Sequence, residues 1–166
     1  MTKITLRGNP INTRGTLPDA GDLMHDFTMV KNDLSEVKFS SFTEKHKVLN
    51  IFPSIDTPTC AMSVRTFNKN AAELGDTVVI NLSLDLPFAQ KRFCGAEGID
   101  KVVTASLFRS DFLKHIPLDF VDGPLKGLCS RVVIVVNEKN EIIYTEQVAE
   151  IANEPNYAEA LIAINS

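Results

Sequence analysis

The chain has 166 residues, 44% hydrophobic and 23% charged, with 21 acidic against 17 basic side chains and a formal charge of -4. That size suits a single domain over residues 1–166 with one core, and the composition excludes disorder, a fibrous repeat and a secreted disulfide framework, since only Cys60, Cys94 and Cys129 are present. No Lys/Arg cluster can track a phosphate backbone, no apolar run nears the roughly 20 residues of a membrane span, and Met1 to Arg7 lacks the apolar middle of a signal peptide, so neither nucleic acid nor membrane is expected as a partner and the cytoplasm is the expected compartment.

The first predicted element is a small hairpin within Lys3 to Leu17, where Gly8-Asn9-Pro10 lies between β-prone flanks. Lys47 to Phe52 reads as a strand that runs into the loop Pro53-Ser54-Ile55-Asp56-Thr57. A helix should follow Pro58, with Val64, Phe67, Ala71 and Leu74 three or four apart and Gly75 as its C-terminal cap. Thr77 to Leu84, Val102 to Ser106 and Arg131 to Val136 read as further strands, with a helix around Cys94 that Gly95 and Gly98 should end early. The near-continuous Val132-Val133-Ile134-Val135-Val136 is what a strand covered on both faces looks like, and predicts a central position. Asn137 to Asn140 is a polar break before Ile142-Ile143-Tyr144, which predicts a hairpin and so a mixed sheet. A last helix is expected from Pro155 to Ile164, with Tyr157, Leu161 and Ile164 on one face. Strands alternating with helices give an α/β fold in which helices flank a mixed central sheet behind an N-terminal β-hairpin.

The chemistry centres on Cys60. With Thr57 as N-cap and Pro58 at the first helical position, Cys60 falls in the first turn, among backbone N–H groups that lack helical partners. Those donors and the helix macrodipole favour a thiolate. A free thiol of pKa about 8.5 is already about 3% ionised at neutral pH, so ionisation alone gains at most roughly thirtyfold. Fast attack by such a thiolate also needs the substrate atom held in line and its departing partner stabilised. Position alone leaves a second reading open, in which Cys60 is a small buried hydrophobe.

The neighbouring residues favour the reactive reading. Pro53-x-x-x-Thr57-x-x-Cys60 resembles the active-site motif of the peroxiredoxins, and the longer Phe52 to Pro58 run resembles their bacterial thiol peroxidase branch. Val48-Leu49-Asn50, Ser63-x-Arg65-x-Phe67-Asn68, Asp85 to Gln90 with Arg92-Phe93-Cys94, and Glu154-Pro155-Asn156-Tyr157 extend the resemblance over nearly the whole chain. The resemblance implies a thioredoxin-like fold, a homodimer, reduction by thioredoxin, and neither metal nor organic cofactor. It also implies Cys60 as peroxidatic cysteine, Pro53 as a shield over it, Thr57 as hydrogen-bond partner of sulfur and peroxide, Arg131 as the active-site arginine, and Cys94 as resolving cysteine in an intrachain disulfide. Hydrogen peroxide and organic hydroperoxides are the implied substrates, the latter in an apolar groove for which Phe27, Phe42 and Phe93 are available.

Thr59 stands where that branch usually has an apolar residue, which bears on access to the pocket, and His25 stands where peroxiredoxins often place proline. Cys129, between Leu128 and a buried strand, is expected to be an inert buried thiol. His25, His46 and His115 are scattered without metal-ligand spacing, and no C-x-x-C pair suggests a dithiol oxidoreductase. A non-catalytic redox sensor and a binding module with a structural Cys60 are the rival readings.

Overall fold

The computed structural model describes residues 1–165. A two-stranded antiparallel hairpin, β1 (Lys3–Leu6) and β2 (Asn9–Asn12), precedes the main sheet. The sheet itself contains β3 (Thr28–Lys31), β4 (Glu36–Lys38), β5 (His46–Ile51), β6 (Thr77–Ser83), β7 (Val103–Ser106), β8 (Val132–Val136) and β9 (Ile142–Gln147), in the spatial order β4-β3-β7-β6-β5-β8-β9. Helices α1 (Pro58–Ala71) and α2 (Pro87–Glu97) make the crossovers that let β5, β6 and β7 run parallel, while β3, β4, β8 and β9 pair antiparallel. A short α3 (Phe112–His115) and a C-terminal α4 (Tyr157–Ile164) complete the elements, giving the mixed, helix-flanked sheet of a thioredoxin-like fold.

Period-two alternation divides β8 between two cores. Val132, Ile134 and Val136 join Leu49, Ile51, Ile80 and Leu82 beneath Phe27, Phe39 and Phe112, whereas Val133 and Val135 join Val48 and Val79 beneath Phe67 of α1 and Ala160 of α4. The continuous apolar run reports this double cover, but β8 lies one strand in from the β9 edge and β6 holds the middle. Burial on both faces needs layers above and below, not a central rank.

Several boundaries differ from the sequence expectation for local reasons. The hairpin turn is Arg7-Gly8, both left-handed at φ 50° and 82°, so Asn9 and Pro10 belong to β2 opposite Leu6 and Thr5. Two left-handed residues match the twist of a tight hairpin, and Pro10 is tolerated because β2 is an edge strand. Helix α1 ends at Ala71 rather than running to a Gly75 cap, because the N–H groups of Glu73 and Leu74 turn back to the carbonyls of Asn70 and Ala71 at 3.0 and 3.2 Å. At α4 the cap is Asn156, whose side chain accepts the Glu159 N–H at 3.1 Å, and Pro155 sits just before it. Among the described residues no helix is long and apolar enough to cross a membrane.

Ile134→Ala should lower unfolding stability by about 2–5 kcal/mol, because the vacated site is walled by rigid sheet and cannot collapse. A loss of unfolding free energy in urea smaller than a third of that would show that the neighbouring core relaxes into the space.

Candidate active site

Strand β5 delivers the chain into a short loop whose end is fixed by the start of α1. Thr57 takes extended dihedrals (φ -88°, ψ 145°), and its side-chain oxygen accepts the Cys60 N–H at 3.3 Å while its hydroxyl donates to Ser54 O at 3.2 Å. The expected N-cap is therefore present, with Pro58 at the first helical position. The Thr57 hydroxyl is engaged by these two backbone groups rather than by sulfur. Cys60 is fully buried with Phe52, Ile55 and Val64, and Ala89, Phe93 and Ile99 from the α2 region pack against this cluster.

The Arg131 side chain, only 2% exposed, enters the same site from the start of β8. Its Nη1 donates to Cys60 Sγ at 3.5 Å, and its Nε and Nη2 donate to Ile151 O at 3.2 and 2.9 Å. One carbonyl thus takes two donors of the guanidinium fork and aims a third at sulfur. The segment holding that carbonyl is itself held: the Glu150 carboxylate accepts the N–H groups of Ala152 (2.8 Å) and Gly8 (2.9 Å) and the Thr5 hydroxyl (3.0 Å). These donors, Ala152 N–H foremost and Gly8 N–H next, hold the Glu150 carboxyl down at about 2, so it is charged at any physiological pH. Thr59, the departure from the family pattern, donates its hydroxyl to Ala152 O at 3.1 Å. It fastens the first turn of α1 to the same segment.

A cavity of about 330 Å³ lies over these groups, lined by Leu6 and Arg7 of the hairpin turn, by Pro53, Thr57, Pro58 and Thr59, and by Leu125, Arg131 and Ile151. Its apolar walls are leucine, isoleucine and proline. The phenylalanines expected there are elsewhere: Phe27 stacks on Phe39 and meets Phe112 edge-on on the far side of the sheet, Phe42 packs into that same core, and Phe93 packs against the Cys60 cluster. Sequence gives no sign of which sheet face an isolated loop aromatic will fill.

Two residues that the motif reading gave no role organise the surrounding loops. The Asp85 carboxylate accepts from Ser54 Oγ (2.7 Å), Ile55 N–H (2.7 Å) and Ser83 Oγ (2.6 Å), tying the Cys60 loop to the turn that starts α2. Glu150, already described, is the other. Asp85 had a visible signal in Asp-Leu-Pro at a helix start; Glu150 had none, being an ordinary loop acid.

Cys94 lies on α2, half-buried, with Sγ donating to Thr104 Oγ1 on β7 at 3.5 Å, and all three thiols are free. The structure thus brings Cys60, Thr57, Pro53 and Arg131 together and sets Cys94 on the adjacent helix, bonded to β7. Only Pro87 and Gln90 of the eleven α2 residues are buried, and besides the half-buried Phe93 and the Cys94–Thr104 bond the Cys94 end is held by the exposed pairs Arg92–Asp56 (3.0 Å) and Arg65–Glu97 (2.9 Å). Gly98 closes the helix in a left-handed conformation (φ 64°). Cys129 is fully buried in the main core, and burial, reinforced by the charges of Asp119 and Asp85, pushes its thiol far above the usual range. His25 and His115 stack at 4.7 Å beside a different cavity, while His46 opens β5, and among the described residues no three metal-ligating side chains converge.

Known proteins share this fold. The Redoxin family profile matches residues 19–161. A thiol peroxidase of Mycobacterium bovis is 50% identical over 166 residues, which is the full length of both chains. Among solved structures, a peroxiredoxin-like protein from Aquifex aeolicus is 33% identical with a TM-score of 0.92, over 98% of this chain and 95% of that one. A thiol peroxidase from Chromobacterium violaceum, 19% identical, shares the fold at a TM-score of 0.89 over 98% of this chain and 95% of its own. The chain belongs to the Redoxin family, in the thiol peroxidase branch of the peroxiredoxins.

Proposed function

We propose that this thiol peroxidase reduces hydrogen peroxide and organic hydroperoxides through Cys60, resolves the product with Cys94 in an intrachain disulfide, and is recycled by thioredoxin. The observation that carries the reading is the buried Arg131 guanidinium donating to Cys60 Sγ at 3.5 Å while lining an apolar cavity. A cation desolvated beside sulfur complements an anionic nucleophile and the negative charge that develops on the departing oxygen. Thr57 can swing its hydroxyl from Ser54 O to an arriving peroxide oxygen while still accepting the Cys60 N–H. Pro53, buried at the cavity wall, keeps water from the sulfur.

The steps balance as follows. Cys60 thiolate attacks the terminal oxygen of ROOH, the O–O bond breaks, and the alkoxide takes a proton to leave as ROH, with sulfenic acid on Cys60. The Cys94 thiol then displaces that hydroxyl as water and forms the Cys60–Cys94 disulfide. Two electrons from a thioredoxin dithiol restore both thiols, in a reducing compartment such as the cytoplasm. Disulfide closure requires Cys94 to leave Thr104. The lightly buried C-terminal half of α2 supports that movement, since exposed ion pairs contribute only about 0–1 kcal/mol each. The family's homodimer is the expected assembly, and exposed Leu86, Phe88 and Phe108 supply apolar surface for it.

Cys60→Ser should abolish turnover in a coupled assay with thioredoxin, its reductase and hydroperoxide; measurable turnover would sink the reading. Cys94→Ser should consume one equivalent of peroxide, stop at Cys60 sulfenic acid and overoxidise under excess, which mass spectrometry can follow. A Cys60–Cys129 link in oxidised wild type would instead implicate the third thiol. Arg131→Ala should slow the single-turnover oxidation of Cys60 by about a hundredfold or more. Glu150→Gln should slow the same step by a smaller factor, because an amide cannot accept all the donors that hold the Ile151 segment. Combined with Arg131→Ala, the Glu150 change should add almost nothing further. Independent, multiplicative losses in that double variant would show that Glu150 does not act through Arg131.

A further inference from the structure

One row of side chains breaks the apolar pattern of the central sheet. Strand register sets Asn50 of β5 beside Asn81 of β6, and Asn81 beside Thr104 of β7, on the face that α1 and α2 cover. Two residues earlier the same face carries Val48 and Val79, and the partner of Asn50 on β8 is Val133. All three polar residues are buried, and Asn50 Oδ1 has no partner among the described residues. An orphaned amide oxygen in the core costs stability, so packing alone would not select such a row.

The row ends at two thiol-bearing helices. At one end the Asn50 side-chain N–H donates to Ser63 Oγ at 3.2 Å, and the Ser63 hydroxyl donates to Cys60 O at 2.7 Å. At the other end Thr104 Oγ1 accepts from Asn81 Nδ2 at 3.4 Å and from Cys94 Sγ at 3.5 Å. The ion pairs near Cys94, Arg65–Glu97 and Arg92–Asp56, are exposed and compete with water. Thr104 is different, because it ties the Cys94 sulfur itself to the buried framework of the sheet. A disulfide needs its two sulfurs about 2 Å apart, so the bond to Thr104 has to break before Cys94 can join Cys60.

We propose that Thr104 is a positioning residue for the resolving step: its hydroxyl holds the Cys94 thiol on β7, slows closure of the Cys60–Cys94 disulfide, and so sets how much peroxide Cys60 tolerates before it overoxidises. This deepens the reading in which Cys94 resolves Cys60 and rests on it. Once Cys60 is a sulfenic acid, Cys94 Sγ leaves Thr104, gives up its proton and attacks the Cys60 sulfur. The S–S bond forms, the S–O bond breaks, and the hydroxyl departs with that proton as water. A second hydroperoxide that reaches the sulfenic acid first transfers its oxygen to give sulfinic acid and leaves as the alcohol, or as water from hydrogen peroxide. The ratio of these two rates decides the fate of Cys60, and Thr104 acts on the first alone.

The test follows the full chain by quenched-flow mass spectrometry after mixing with hydrogen peroxide, in wild type, Thr104→Val and Thr104→Ser. Thr104→Val keeps the branched shape without the hydroxyl. It should close the disulfide about threefold faster, the scale of one weak hydrogen bond, and lower sulfinic Cys60 at a fixed peroxide excess by about the same factor. Oxidation of Cys60 to sulfenic acid should stay within about twofold, and Thr104→Ser, which keeps the acceptor, should match the wild type in both steps. A role in stability alone would shift the urea unfolding curve without separating closure from oxidation. Thr104→Ala serves the same comparison if the valine variant does not fold. An independent readout needs no peroxide: in Cys60→Ser, adding Thr104→Val should let iodoacetamide alkylate Cys94 about threefold faster. Unchanged or slower closure, Cys60 oxidation that changes as much as closure, or an unchanged alkylation rate would overturn the proposal. If oxidised wild type holds no Cys60–Cys94 disulfide, the resolving reading has failed and the proposal with it, whereas a disulfide that forms at wild-type speed in Thr104→Val sinks the proposal alone.

Discussion

The site depends on where the Arg131 guanidinium can put its charge. A cation with 2% exposure is costly unless its donors are met, and among the described residues no carboxylate is bonded to it. Ile151 O takes two donors and Cys60 Sγ a third, so the arginine keeps its donors met only while both stay in place. This makes three separate pieces of chain mutually dependent: the first turn of α1, the residue before β8 and the segment after β9. None can move without leaving a buried polar group unmatched. The Glu150 carboxylate extends the constraint to a fourth piece, the hairpin turn, through the Gly8 N–H.

Against this over-determined half stands a lightly held one. From Cys60 O a buried chain of bonds runs through Ser63 Oγ (2.7 Å), Asn50 Nδ2 (3.2 Å), Asn81 Oδ1 (2.9 Å), Asn81 Nδ2 to Thr104 Oγ1 (3.4 Å), and ends on Cys94 Sγ at 3.5 Å. The links near α1 and the central strands are short and fully buried; the last ones are long and end on a half-buried thiol. Gln90 pins the first half of α2 to Ser83 and Ala105, while Cys94 lies a turn further on, before Gly95 and the left-handed Gly98. The helix is therefore anchored where the Cys60 loop needs Asp85 and releasable where a second thiol would have to travel. A uniformly rigid α2 would hold the Cys60 loop well and forbid the proposed closure of Cys94 on Cys60.

What was legible in the sequence is what local chemistry decides. Thr57-Pro58 predicts a cap, and the cap forms; Val132 to Val136 predicts a strand with both faces covered, and it is. Asp-Leu-Pro marked Asp85 as a helix-start residue but not its hold on the Cys60 loop, and Glu150 was not legible at all, because these roles lie in donors brought from 30 and about 140 residues away, Ile55 and Gly8 among them. The strands β3 and β4, four and three residues long, carry too little pattern to separate from loop, and only their pairing to β7 and to each other makes them strands. The phenylalanines failed as groove residues for the same reason: Phe27 finds Phe39 and Phe112 only after the sheet has chosen its faces.

The hairpin illustrates how a seemingly separate element becomes part of a site. Read locally it is a turn between two short strands, too small to be stable alone. In the fold, Ile4 and Ile11 bury against Phe120 and Ile151, and Gly123, itself left-handed at φ 74°, permits this approach because a Cβ there would come within 2.7 Å of Ile11. That packing and the Leu6–Asn9 pairing fix the strands, and the Glu150 carboxylate holds the turn through the Gly8 N–H. Holding Arg7 left-handed costs on the order of 1–2 kcal/mol relative to an ordinary conformation, a sum that a glycine or asparagine at that position would largely avoid. The turn bears that strain where the hairpin meets the cavity that Arg131 lines, and the side chain it carries there is the only arginine the rest of the chain leaves unmatched among the described residues. Strain of this kind persists where surrounding bonds over-determine it, and the bonds that do so here are the same ones that keep Ile151 O under Arg131.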